Sequence, residues 1–385
     1  MFTGKGGVGK TAVAAATAVG IARSGTKTLV MSTDPAHSLA DAFETEIGHE
    51  PTEIRPDLHG LQVDAQRRLE EQYRDIQSYA TDFLAWAGAD PIAAEEITVF
   101  PGIEEVFSLT DLRRFAAQRD YGCIVVDCAP TAETLRLLSL PEISRWYMER
   151  IFPIEKRLVK AVRPVLQRVS SMPIAGDKFF AALERLHASL GAVGALLTDR
   201  ETSSVRLVVN PEKMVIAEAR RLFTYLSLFG YHVDGVVVNR LLPDAVSDPY
   251  FAKWKKIQAE HLTEIQESFD PVPVLTARLY DEEMVGEELL SELCDEVYGS
   301  AEPLSVLHRD EPMRVKPEGE YLVLRLRLPF ADDRIGLARR GEDLIVTVGP
   351  YRRSIMLPQS LQRRDVVDAA FDGPVLKIRF GRNDG

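Results

Sequence analysis

The chain has 385 residues, 45% of them hydrophobic and 27% charged, with a formal net charge of -12. That mixture supports a sizeable buried core, and the acidic balance repels phosphate backbones, so no nucleic-acid partner is expected. The three cysteines form no C-x-x-C pair for zinc or a disulfide framework, and no run of about 18 apolar residues is present to span a membrane.

Met1, Phe2 and Thr3 read as the end of a first strand, shorter than the usual five or so residues; it is either clipped or begins upstream. The apolar stretch that follows is broken by Lys5, Lys10 and Arg23, so it predicts no signal peptide, and a reducing cytoplasm is the expected location. Gly4-Lys5-Gly6-Gly7-Val8-Gly9-Lys10-Thr11 then fits G-x-x-x-x-G-K-[ST]. Its glycines let successive N–H groups turn inward onto phosphate oxygens. Lys10 places a cation against the β- and γ-phosphates, and the Thr11 hydroxyl suits Mg²⁺. The alanine-rich stretch from Thr11 predicts a helix whose N-terminal dipole faces the anion. ATP and Mg²⁺ are therefore the expected cofactors.

Thr28-Leu29-Val30-Met31 predicts a strand buried on both faces, followed by Ser32-Thr33-Asp34-Pro35-Ala36-His37-Ser38. Asp34, at a strand's carboxyl end, is placed to hold the attacking water, with Pro35 fixing the turn; an ordinary Asx-turn is the alternative. Cys123-Ile124-Val125-Val126 predicts another buried strand, ending at Asp127, the position that binds Mg²⁺ through its water shell. The following Ala129-Pro130-Thr131 turn is a second segment able to rearrange when the γ-phosphate leaves.

From about 140 to 198 strand character fades. Leu158, Val162, Val165 and Val169, then Phe179, Leu183, Leu186 and Leu190, recur at helical spacing and predict a helical insertion. Strands return at Leu207-Val208-Val209 and Gly235-Val236-Val237-Val238. Alternating strands and helices imply a mostly parallel sheet, giving an α/β fold over residues 1–300. Residues 301–319 are rich in proline and mixed charge and read as a linker. In 320–385 the period becomes two, with Leu322, Leu324, Leu326 and Leu328 on one face and Arg325 and Arg327 on the other. Turn signals at Gly341-Glu342-Asp343, Gly349-Pro350 and Asp372-Gly373-Pro374 complete the pattern of a C-terminal antiparallel β-sandwich.

The doubled lysine of the loop, the Asp34-Pro35-Ala36-His37-Ser38 stretch and the Asp127-to-Thr131 stretch together resemble the ArsA-type family. Its members include arsenite-pump ATPases and the ATPase that targets tail-anchored membrane proteins, and all carry the deviant P-loop. Pro101-Gly102-Ile103-Glu104-Glu105 and Val236 through Pro243 also look like family elements. The resemblance implies Mg-dependent ATP hydrolysis by a homodimer, with Lys5 reaching the partner's nucleotide; a solvent-facing Lys5 is the bland alternative. It implies a role for Asn239 at the adenine. Switch residues would be Asp34, Pro35, His37, Asp127, Pro130 and Thr131.

The sequence departs from that family in places. Ala132 and Glu133 replace a glycine and a histidine of the second switch, and Arg278-Leu279-Tyr280 stands where a proline is common. Cys123, Cys128 and Cys294 suggest no three-thiolate site for a soft metalloid and read as buried structural residues. The tail resembles the α-crystallin domain of small heat-shock proteins at Leu328-Pro329-Phe330, Ile355-Met356-Leu357-Pro358 and Ala369 through Ile378. Its exposed strands would take apolar segments by edge pairing, or serve only as an accessory. The expected function is ATP hydrolysis coupled to handling an apolar polypeptide or membrane-protein client. The alternatives are an arsenite or anion pump subunit and a nucleotide-dependent scaffold of the partition type.

Overall fold

Short β-branched runs that cannot satisfy both faces with water form strands, and the alanine-rich or amphipathic stretches between them form helices. The computed structural model describes residues 1–33, 38–62, 103–129, 176–309, 313–328, 335–349 and 351–382, with a few single positions between 78 and 153. Asp34, Pro35 and His37 of the first switch lie outside the described residues. So do Pro130 and Thr131 of the second, and most of the expected helical insertion. The chain divides into two compact units, Met1–Gly20 with Thr198–Gly385, and Ile21–Leu197.

In the second unit, β2 (Thr28–Ser32) lies parallel to both β4 (Leu58–Gln62) and β5 (Cys123–Asp127). β3 (Thr52–Arg55) pairs antiparallel with β4 as the exception. Every residue of β2 is buried, the signature of a strand covered on both faces. Helices α2 (Ser38–Phe43), α3 (Ile103–Gln118) and α4 (Asp177–Thr198) belong to this unit's stretch of chain. Of the expected insertion, α4 is the continuous described part. It buries Phe180, Leu190, Val193 and Leu197 along one stripe, with Phe180 edge-on to Phe152. Among described helices it alone has the length and hydropathy to cross a bilayer. That stripe and the charges near its start, Asp177 and Lys178, fit a core-packing helix equally well.

In the first unit, β1 (Phe2–Thr3), β6 (Val205–Val209), β7 (Val233–Leu241) and β8 (Val274–Arg278) pair in that order, all parallel. Their helices are α1 (Lys10–Arg23), α5 (Lys213–Leu228), α6 (Pro249–Phe269) and α7 (Glu287–Tyr298). The start of α6 is fixed by Asp248, whose carboxylate accepts from the Tyr250 N–H at 2.8 Å, with proline in the first turn.

The tail is an antiparallel sandwich. One sheet runs β14 (Arg364–Asp372), β15 (Val375–Arg382), β10 (Tyr321–Arg327), β9 (Met313–Glu318); the other runs β11 (Ile335–Arg340), β12 (Asp343–Val348), β13 (Tyr351–Met356). A short helix, α8 (Gln359–Gln362), precedes β14. Strand β9 thus occupies part of the stretch that composition marks as linker. Leu324, Leu326, Leu344, Val346, Leu376, Ile378 and Phe380 build one core, and Leu228 at the end of α5 enters it. The opposite face of β10 is only partly solvated. Val323 there is fully buried, and the Arg327 guanidinium donates to the Asp270 carbonyl at 2.7 Å. Arg353 lies over the Phe229 ring, 5.7 Å from its centroid. The sandwich is therefore docked on the α/β part of its own unit by both of its sheets.

Phe380→Ala removes a side chain with no exposed surface from the tail core. It is expected to destabilise the sandwich by about 3–5 kcal/mol, read as a lower denaturant midpoint for amide exchange in the tail.

Candidate functional site

The phosphate loop is a chain segment whose backbone needs conformations that side chains resist. Gly4, Gly7 and Gly9 have φ of 155°, 81° and 91°. A Cβ on Gly4 would lie 2.2 Å from the Val208 carbonyl oxygen, and one on Gly9 would lie 2.3 Å from Asn239 Nδ2. At Gly6 and Gly7 a Cβ would meet nothing within 4 Å. The loop is thus packed hard against β6 and β7 at its two ends and open in its middle, which is the shape of an anion cradle. The N-terminus of α1 follows directly at Lys10, adding the positive end of the helix dipole.

Lys10 is 6% exposed and donates to the Lys5 carbonyl at 3.4 Å. Its ammonium is thereby held across the mouth of the loop. Lys5 itself is half-exposed. Thr11 is the second residue of α1.

Asn239 ends the apolar part of β7. Its Nδ2 donates to the Val8 carbonyl at 2.9 Å, and its Oδ1 accepts from the Arg240 N–H at 2.9 Å. The side chain braces the phosphate loop, a role beside the expected adenine contact. Arg240 has φ of 64°, an uncommon conformation for a bulky residue, and the Asn239 bond helps to hold it there.

Beside the loop lies a cavity of about 290 Å³, whose lining includes Gly9, Ala12, Asn239, Arg278, Leu279 and Tyr280. The stretch Arg278-Leu279-Tyr280, which the motif left without a role, is therefore a wall of this cavity. Glu296 of α7 fixes that wall: its carboxylate accepts from the Arg278 N–H at 2.6 Å and from the Tyr280 hydroxyl at 2.7 Å. Arg278 also pairs with Glu292 and lies 4.6 Å from the Tyr280 ring centroid. Burial, then the Glu296 carboxylate, push the Tyr280 phenol well above its usual value, so it stays protonated. The cavity's flat aromatic and guanidinium surfaces, next to a phosphate cradle, suit a purine base.

In the second unit, Asp127 ends β5 with no exposed surface. The preceding motif supplies an unforeseen link. The Thr33 N–H donates to the Asp127 carbonyl at 2.9 Å, and the Thr33 hydroxyl accepts from the Ala129 N–H at 3.0 Å. Thr33 follows β2 directly, so the carboxyl ends of β2 and β5 are pinned together. Nothing in the sequence distinguishes this threonine from its neighbours, because its partners lie more than ninety residues away.

Of the cysteines, Cys294 on α7 is buried, and its sulfur lies 2.2 Å from where a Gly20 Cβ would stand. Cys128 is buried just after β5, whereas Cys123 at the start of β5 is half-buried, less enclosed than expected. Among the described residues, no three His, Cys, Asp or Glu side chains group as a metal site.

A protein-family model described as "Anion-transporting ATPase" matches residues 1–299, and one described as "HSP20-like domain found in ArsA" matches residues 319–380. A Chlorobaculum tepidum protein named "Putative arsenical pump-driving ATPase" is 39% identical over 383 residues, covering 98% of this chain and 95% of that protein. A similarly named Aquifex aeolicus protein is 34% identical, covering 94% of each chain. A Paramecium tetraurelia protein named "ATPase ASNA1 homolog 1" is 28% identical, covering 76% of this chain and 89% of its own length.

Gly9→Ala places a methyl group onto the Asn239 amide at a φ that alanine resists. It is expected to weaken ATP binding at least tenfold by calorimetry, and Lys10→Ala to abolish tight binding; retention of wild-type affinity by Gly9→Ala would remove the bracing role of Asn239.

Proposed function

Because the chain belongs to the anion-transporting ATPase family and is an ATPase, we propose that it hydrolyses ATP as a Mg-dependent homodimer and uses the cycle to handle an apolar polypeptide client. Lys10 and the loop amides bind the phosphates, and the cavity walled by Arg278 and Tyr280 takes the base. Thr11 and Asp127 are the residues assigned to Mg²⁺. A buried carboxylate at a strand end and a hydroxyl at the loop's end are the oxygen donors this hard ion prefers. When bound, the ion would supply charge against the β- and γ-phosphates. Asp34 is assigned to orienting the water, and Lys5 to the nucleotide of the second subunit.

The client half of the proposal is carried by one row of side chains. In the β14–β15 pair, Val366, Ala369 and Phe371 stand opposite Phe380, Ile378 and Leu376. Directly opposed residues share a face. The β15 members are buried in the sandwich core, yet Val366 is 36% and Phe371 42% exposed. The core's apolar face thus continues one strand further than the three-stranded sheet that covers it, and among the described residues no strand pairs with the outer edge of β14. An extended apolar segment fits such an edge by adding a strand.

The names of the bacterial relatives favour a second reading, an ATPase that energises a metalloid pump. A soft metalloid requires convergent thiolates, and Cys294 is committed to packing against Gly20.

The deciding measurement is the steady-state ATPase rate of the full chain alone, with arsenite, and with a solubilised apolar helix. A response to the helix alone is expected; stimulation by arsenite would replace the client reading with the pump reading. Asp34→Asn is expected to retain nucleotide and slow turnover by about several hundred-fold. Lys5→Ala is expected to bind ATP as a monomer and fail to form the ATP-closed dimer in sedimentation; an unaltered dimer would overturn the assignment of Lys5 to the partner's site.

A further inference from the structure

Far along the chain from the phosphate loop, a buried arginine uses every donor it has. Arg206 on β6 and Asp234 on β7 have side chains 7% and 0% exposed. Nε and Nη2 of Arg206 donate to the two Asp234 oxygens, each at 3.3 Å. Nη1 donates to the Tyr298 hydroxyl and to the Pro303 carbonyl, both at 2.8 Å. Nη2 donates again to the Ser305 carbonyl at 2.8 Å. All five guanidinium N–H groups are thereby satisfied, the condition under which a buried ion pair is tolerable.

Two lines of bonding leave this centre. One holds the segment that leads to the tail. Besides the Pro303 and Ser305 carbonyls, the Leu307 N–H donates to Asp234 at 3.2 Å. Two glycines make room for the segment: a Cβ on Gly20 of α1 would lie 3.4 Å from Pro303, and one on Gly235 of β7 would lie 3.2 Å from Leu307.

The other line enters the helix of the phosphate loop. The Thr17 hydroxyl donates to the Val13 carbonyl at 2.7 Å. Its 2.8 Å contact with the Tyr298 hydroxyl must then be donated by the tyrosine, which in turn accepts from Arg206. The Val13 N–H donates to the Gly9 carbonyl, inside the loop itself, at 3.1 Å. Hydrogen bonds of one polarity therefore run from Arg206 through Tyr298 and Thr17 into the first turn of α1.

We propose that Arg206, Tyr298 and Thr17 are positioning residues that couple occupancy of the phosphate loop to the anchoring of the 303–307 segment and, through it, to the tail. Closure of the loop on a nucleotide orders α1; the relay passes that order to the carbonyls that Arg206 holds. Reciprocity follows, so the anchored segment favours the nucleotide-bound loop by the same factor. The inference rests on ATP binding at the loop and is independent of the client reading.

The test is amide hydrogen exchange of peptides covering residues 303–309 in the full chain, with and without a saturating non-hydrolysable ATP analogue and Mg²⁺. In the wild type the analogue is expected to slow exchange there about fivefold or more, the low end of a usual coupling. Tyr298→Phe keeps the ring and four of the five Arg206 donor contacts but cuts the relay; the nucleotide-dependent ratio is expected to fall to about one. Thr17→Val cuts the next link and serves if Tyr298→Phe folds poorly. Arg206→Lys is expected to speed exchange both with and without the analogue. A wild-type ratio of one, or a ratio preserved in Tyr298→Phe, overturns the coupling and leaves Arg206 a structural staple.

Discussion

A loop that turns its amides toward an anion leaves those donors without partners in its own chain, so something else must hold its shape. Here the restraint is close contact at both ends of the loop. The Val208 carbonyl fills the space a side chain would take at Gly4, and the Asn239 amide does the same at Gly9 while binding the Val8 carbonyl. Both restraints come from parallel strands, β6 and β7, whose buried valines leave them little freedom to shift. The sheet of the first unit is thus the mould in which the loop is cast. Strand β1 lies in register with Arg206 and Leu207 on that same sheet.

The sequence made legible whatever leaves a local pattern. Buried strands show as continuous apolar runs, the cradle as glycines at fixed spacing, and the sandwich as leucines at every second position. The long-range polar partnerships leave no such trace. Thr33 reads as one more residue of a turn, Glu296 as a charge on an amphipathic helix, and Arg206 as an interruption in a valine-rich strand. Each owes its role to partners that only folding brings near. Asn239 lies between these cases. A family motif marks it, yet the bond it makes is to the loop backbone, and no motif states that.

The tail shows the limits of alternation as a guide to burial. Period two correctly separates Leu324 and Leu326 from Arg325 and Arg327, but it says nothing of what covers each face. The arginine face of β10 is partly covered too, since Val323 is buried and Arg327 binds the Asp270 carbonyl. Conversely, Val366 and Phe371 lie on the leucine face and are exposed, because the opposing sheet is one strand narrower. Apolar side chains left open at the edge of an otherwise closed core have a physical consequence, since they and the strand edge beside them are available to an added strand.

Proline and mixed charge mark residues 301–319 as a linker, and linkers of that composition are normally extended spacers whose carbonyls face water. In this chain the first part of the stretch is held, and by a charged group that could not remain buried without it. If the 303–307 segment left, Arg206 would lose two of its acceptors inside the protein, a penalty of the size that breaking a buried charged hydrogen bond carries. The arginine and the segment are therefore mutually dependent: neither is stable in place alone. That dependence joins the segment leading to the tail to β6, the strand against which the start of the phosphate loop packs.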